Sequence, residues 1–151
     1  MTLGHIRALR LLHDTFRHHS PTQRLHVLGR YFSAPLLRTV AFVPHGSRVL
    51  DVGAGHGMWA RLIVEEQARL VVAIEPDMRK LTRLRQHAIR AVAGEIDCIR
   101  GTFDVVAILD VMYLVSSAAR DELLRSAFDR LRPGGLLLVK DLDPSARLKN
   151  A

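Results

Sequence analysis

From Leu3 to Phe16 the apolar side chains fall at Leu3, Ile6, Leu9, Leu12 and Phe16, with arginine and histidine on the other faces. That spacing predicts an amphipathic helix over residues 2–16. The next letters, SPTQ, read as a helix start, with Ser20 capping, Pro21 in the first turn and Gln23 closing a capping box. Leu25, Leu28 and Phe32 carry this second helix onward, and a third helical piece over 36–42 stops at Pro44-His45-Gly46. After Gly46 the pattern changes to short, continuous apolar runs alternating with amphipathic ones. Strands are expected over 49–52, 70–74, 89–93, 104–110 and 136–140. Helices are expected over 58–66, from Pro76 through Met78, Leu81, Leu84 and Ala88, and over 117–131, with a turn at RPGG (132–135). Unbroken apolar strands separated by helices predict a doubly wound α/β fold with a mainly parallel sheet of about five strands. The expected organisation is one structural domain, with a basic helical cap over 1–46 and the α/β core over 47–151.

A chain of 151 residues suits one domain, and 48% apolar with 25% charged residues excludes general disorder. No apolar run approaches the roughly 18 residues of a membrane span, and no secretory leader pattern is present. These features predict a soluble, cytoplasmic protein. The single cysteine, Cys98, has no second thiol for a disulfide or a CxxC pair. It reads as a bland thiol, with burial the simplest setting. No metal site is expected.

The net charge of +7 is concentrated at one end: residues 1–48 hold seven arginines against Asp14, while the remainder is nearly balanced. Six of the eight histidines lie there too, so this positive field should grow on mild acidification. The face is either simply solvated or a surface for an anionic partner. Sparse aromatics and the lack of a nucleic-acid signature leave nucleic acid outside the expected partners.

The chemistry concentrates in RVLDVGAGHGMWARLIV, residues 48–64, where three glycines follow the first strand. Glycine permits positive φ and removes side chains where a ligand must touch backbone, while the next helix offers free N–H groups. In doubly wound sheets the ligand sits at the carboxyl ends of the strands. Position 58 is Met, so the spacing is G-x-G-x-G rather than the dinucleotide G-x-G-x-x-G. Glu75 ends the second strand twenty positions beyond Gly55, where a carboxylate can accept both hydroxyls of a ribose.

The segments VLDVGAGHG, VVAIEPD, AGEID, FDVVAILDVMYLV and LRPGGLLLVKD resemble, in this order, the motifs of the class I S-adenosylmethionine-dependent methyltransferases. The resemblance covers about Val43 to Lys149 and implies a Rossmann-like core with S-adenosylmethionine as cofactor. It implies that Asp51, Gly53, Ala54 and Gly55, with Gly57 in the same motif, lie along the methionine portion. Glu75 would hold the ribose, Pro76 and Asp77 would sit by its edge, and Glu95 with Ile96 would frame the adenine. Asp110 and Tyr113 would face the methyl group and the acceptor, as candidates for orientation or proton acceptance. His56 fills a variable slot of the motif, and Met58 and Trp59 suit core packing. The activity implied is methyl transfer to a small-molecule or lipid acceptor, drawn in by the basic cap where it is anionic. The alternative is a cofactor-binding but catalytically incomplete fragment or regulatory subunit. Family members usually add a helix and two strands after the fifth strand, whereas eleven residues follow Lys140 here. The resemblance therefore implies a truncated C-terminus and an exposed fifth-strand edge, which a second copy or a partner chain would cover.

Overall fold

Each of the five apolar runs after Gly46 lies in a strand of one parallel sheet. The structure, a computed structural model, describes residues 4–33, 36–81, 84 and 87–141. The helical cap comprises α1 (His5–Phe16), α2 (Pro21–Ser33) and α3 (Leu36–Val40). The core follows as β1 (Ser47–Val52), α4 (Met58–Glu66), β2 (Ala68–Glu75), α5 (Met78–Leu81), β3 (Ile89–Ala93), β4 (Phe103–Leu109), α6 (Ser117–Asp129) and β5 (Leu131–Lys140). Short 3₁₀ turns at Ile96–Cys98 and Met112–Leu114 follow β3 and β4.

The strand order is β3-β2-β1-β4-β5, with every neighbouring pair parallel. The chain winds outward through β2 and β3, then returns to the other side of β1, so the switch point lies between β1 and β4. Alternate residues of the central strands feed two apolar layers. Val49, Val71 and Val105 face α4 and the cap, among Leu12, Val27, Trp59 and Ile63. Leu50, Ile74 and Val106 face Ile96, Met112 and the α6 residue Ala127. Burial on both faces is why these strands read as unbroken apolar runs. Trp59 on α4 donates its indole N–H to the Thr39 hydroxyl of α3 at 2.8 Å, so cap and core share one interior.

The capping box forms as the letters suggest. The Ser20 N–H donates to Gln23 Oε1 at 3.2 Å and the Gln23 N–H to Ser20 Oγ at 3.3 Å. Three elements differ from expectation. RPGG is not a free turn: β5 begins at Leu131, opposite Phe103, and resumes with Leu136 opposite Val105. The intervening residues, with Gly134 at φ +75°, form a bulge in the strand. The helix after Pro76 is the single turn Met78–Leu81, Leu84 being buried outside it; residues 82, 83, 85 and 86 lie outside the described ones. Cys98 is exposed, because its turn runs along the surface. β5 is an edge of the described sheet, with Leu136 and Val139 exposed along it; of the tail after Lys140, residues 142–151 lie outside the described ones. Among the described residues no helix is long and apolar enough to cross a membrane.

Candidate functional site

The loop after β1 is tied to the end of β2, where the Gly53 and Ala54 N–H groups both donate to the Ile74 carbonyl, at 2.9 and 3.0 Å. Gly53, Gly55 and Gly57 have φ of +70°, +57° and +73°, a left-handed backbone that glycine adopts without strain. Their roles separate once the neighbours are considered. A Cβ on Gly53 would lie 2.6 Å from Val111 Cγ2, and one on Gly57, the N-cap of α4, 2.2 Å from Leu84 Cδ2. A Cβ on Gly55 would meet nothing within 4 Å. The positive φ favours glycine at all three positions; side chains also crowd the first and third, while the middle one borders open space.

Two cavities meet at Gly53, and Gly55 lines the smaller of them. The larger, about 310 Å³, lies on the α6 side of the sheet and is lined by Ile74, Pro76, Glu95, Ile96 and Val111, among others. The smaller, about 100 Å³, lies under α2 and is lined by His26, Arg30, Asp51, Gly55, His56 and Lys80, among others. Met58 and Trp59 are buried in the core and also reach its wall.

Glu75 is buried beside the glycine loop. Its Oε2 accepts from the Gly55 N–H at 2.9 Å, and its Oε1 from Lys80 Nζ at 2.9 Å and the Asp77 N–H at 3.3 Å. Asp77 starts α5, accepting from the Arg79 N–H at 3.0 Å and from its guanidinium at 2.9 Å. The Arg79 bonds hold its carboxyl down to about 2. Asp51, in β1, is 3% exposed and its Oδ2 has no hydrogen-bond partner. Burial pushes its carboxyl up to about 7; the Glu75 charge adds to the rise, while Arg30 and the Ala60 N–H oppose it. A buried carboxyl oxygen without a donor is suited to a cationic group delivered by a ligand, which would favour its ionised form.

Asp110 follows β4 in a left-handed conformation, φ +57°, and is 5% exposed. Its backbone N–H donates to the Lys140 carbonyl at 2.7 Å. One carboxylate oxygen accepts from Lys140 Nζ and the other from Arg30 Nη2 at 2.9 Å. The carboxylate is thus fixed between the edge strand and the cap rather than solvated at a strand end. Tyr113 sits on the turn after β4, 40% exposed. His56 faces the cap, its ring 5.9 Å from that of His26 and 6.4 Å from that of His19. Burial first, then His26, holds the His56 imidazole below its ordinary range. Among the described residues no cluster of three or more His, Cys, Asp or Glu is placed to hold a metal.

The structure thus brings the glycine loop, Asp51 and Glu75 to one end of β1 and β2, with Pro76, Glu95 and Ile96 in the adjoining cavity. Sequence reasoning did not anticipate His26 and Arg30, which α2 contributes to the site, nor Lys140. Arg30 and Asp110 are eighty positions apart, and no local pattern links them.

Residues 15–151 match the model of a methyltransferase domain family. The chain is 35% identical over 124 residues to the ubiquinone/menaquinone biosynthesis C-methyltransferase of Vibrio campbellii, covering 70% of this chain and 47% of that protein. It is 32% identical over 143 residues to the ubiquinone biosynthesis O-methyltransferase of Xanthomonas axonopodis pv. citri, covering 82% and 54%. The chain therefore spans about half the length of these curated relatives. Among solved structures, the DhpI–SAH complex aligns with a TM-score of 0.69 at 18% identity, over 91% of this chain and 71% of that one. SAM-bound CalS10, an amino pentose methyltransferase from Micromonospora echinaspora, aligns at 0.61 and 24% identity, over 75% and 50%. These structural likenesses are of fold.

Proposed function

The chain belongs to a methyltransferase domain family, and from that premise we propose that it is a class I S-adenosylmethionine-dependent methyltransferase that binds its cofactor across the two cavities and transfers the methyl group to a small-molecule acceptor. The observation that carries this reading is the buried, unpartnered Oδ2 of Asp51 in one cavity, joined through Gly53 to a second cavity lined by Glu95 and Ile96. The donor set fits the cofactor's chemistry, with an anion for an ammonium, a strand-end carboxylate for two vicinal hydroxyls and an apolar slot for a base. In this assignment Asp51, Gly53, Ala54 and Gly55 hold the methionyl part and Glu75 the ribose. Pro76 and Asp77 border the ribose, and Glu95 and Ile96 enclose the adenine.

When bound, the sulfonium supplies a methyl group already activated for transfer, so the protein's own task is to bind, orient and exclude water. Orientation of an acceptor in line with the bond being broken can supply several kcal/mol of barrier lowering. Asp110 is assigned to orientation. Both its oxygens already accept from cations, so taking up a proton would break an ion pair. Tyr113, at the exposed turn after β4, is assigned to the acceptor side. Arg30 belongs to the wall that α2 places over the smaller cavity.

The relatives' names assign them to ubiquinone and menaquinone biosynthesis, which supports a small organic acceptor, lipid-soluble or its precursor. Because the chain spans about half their length, a second reading is kept: cofactor binding without full catalysis. Calorimetry with S-adenosylmethionine, its demethylated product and NAD, followed by a turnover screen over acceptor classes, separates the readings. Binding of the first two but not NAD, with turnover, is expected. Binding without turnover selects the second reading, and failure to bind either sulfur compound overturns both.

A further inference from the structure

Helix α2 carries two apolar faces. Val27 and Tyr31, on the inner one, are buried in the core. Leu25 and Phe32 lie seven residues apart, nearly two turns, and therefore share one outward stripe; they are 73% and 72% exposed. Pro21 and Gly29 are exposed on the same side. His5 Nδ1 and the Tyr31 hydroxyl, 2.8 Å apart, bring the start of α1 beside the end of α2, where Ile6 is 81% exposed. Three large apolar side chains exposed on the two long helices of the cap, with the start of one beside the end of the other, offer an interaction surface.

The charge around them has one sign. Arg7 is neutralised by Glu65 and Glu66, and Arg30 by Asp110. Arg10 on α1 and Arg24 on α2 pair with no acid among the described residues, and Asp14, the sole acid of the cap, lies against His13. A stable protein interface removes roughly 800 Å² from each partner, far more than a stripe of three side chains offers. An anionic bilayer fits better, because a few apolar side chains enter the headgroup boundary while arginines meet the lipid phosphates.

We propose that the outer face of the α1–α2 hairpin docks on an anionic lipid bilayer, with Ile6, Leu25 and Phe32 entering the interface and Arg10 and Arg24 contacting the headgroups. His26 and Arg30, on the flank of the same helix, line the smaller cavity. Docking would therefore hold that cavity close to the lipid surface, within reach of an acceptor dissolved there.

The test is flotation of the whole chain with vesicles of phosphatidylcholine alone and of phosphatidylcholine mixed with phosphatidylglycerol, a readout that needs no turnover. Recovery with the mixed vesicles, weakened by salt, and little with the neutral ones is expected. The Leu25→Ser/Phe32→Ser double variant should lose more than about tenfold in partitioning, and Arg24→Gln about fivefold. Both apolar sites are exposed, so the unfolding midpoint should be kept; if it is not, an Arg10→Gln/Arg24→Gln pair carries the same test. Equal recovery on both vesicle types, or unchanged binding by these variants, overturns the proposal. So does self-association in sedimentation that the double variant abolishes while vesicles recover nothing. None of these outcomes depends on whether the chain binds S-adenosylmethionine.

Discussion

Replacing Asp51 with Asn removes a titrating group whose effect on stability can be worked out from its surroundings. The carboxyl is 3% exposed, and burial, with the Glu75 charge, raises it from 3.8 to about 7 against the opposing Arg30 and Ala60 N–H. Between those two values the folded chain binds a proton that the unfolded chain does not. The stability this group contributes is therefore complete below about pH 4 and lost progressively as the pH rises to about 7. Each unit is worth about 1.4 kcal/mol, so from about pH 5 to about pH 7 the wild type should give up roughly 2–3 kcal/mol through this residue. The Asn variant lacks the titration, so its stability relative to wild type should climb by that amount over the same range and then level off. Urea unfolding of both proteins at a series of pH values measures this directly, because any constant packing difference cancels. Parallel stabilities across the range would refute the assigned burial and the unpartnered oxygen. A cation seated on Oδ2 would lower the carboxyl again, so ligand binding near neutrality should release a proton, visible as a buffer-dependent binding enthalpy in wild type and absent in Asp51→Asn.

Three further outcomes are expected. Glu75→Ala should weaken S-adenosylmethionine binding by about 1.5–3 kcal/mol through loss of charge-assisted bonds; equal calorimetric affinities would sink the ribose assignment. Gly55→Asp should abolish binding at some cost in stability, since a side chain is strained at φ +57° although it meets no neighbour within 4 Å; retained affinity in the folded variant would move the methionyl portion elsewhere. Arg30→Met leaves Asp110 with Lys140, so it should cost about 1–2 kcal/mol, less than the roughly 3–5 kcal/mol of an orphaned buried charge. It should also speed amide exchange over residues 26–30 in the ligand-free protein; unchanged exchange would show that the Arg30–Asp110 pair does not hold α2 over the cavity.

What could be read from the sequence by itself was whatever depends on near neighbours or on burial. The apolar runs at 49–52, 70–74 and 104–110 announce the central strands β1, β2 and β4, covered on both faces, whereas the edge strands β3 and β5 are largely exposed. Ser20 with Gln23 announces a helix start, because a capping box closes within four residues. Gly55 and Glu75, twenty positions apart, meet because adjacent parallel strands bring their carboxyl ends together, and the Gly55 N–H reaches Glu75 Oε2. The tertiary structure alone decided the rest. Pro133-Gly134-Gly135 carries turn chemistry, yet pairing of Leu131 with Phe103 draws the segment into β5 as a bulge. Three glycines of one spelling share a left-handed backbone, but Gly53 lies against the Val111 side chain and Gly57 against Leu84, whereas Gly55 lies beside open space. The letters after β4 mark Asp110 as a candidate beside the acceptor but not its partners, Arg30 and Lys140, which α2 and β5 bring to it from eighty residues before and thirty after. Backbone preference and burial are encoded within a few residues of where they act, whereas an ion pair between distant segments exists only once packing has set the angle at which one helix crosses a sheet.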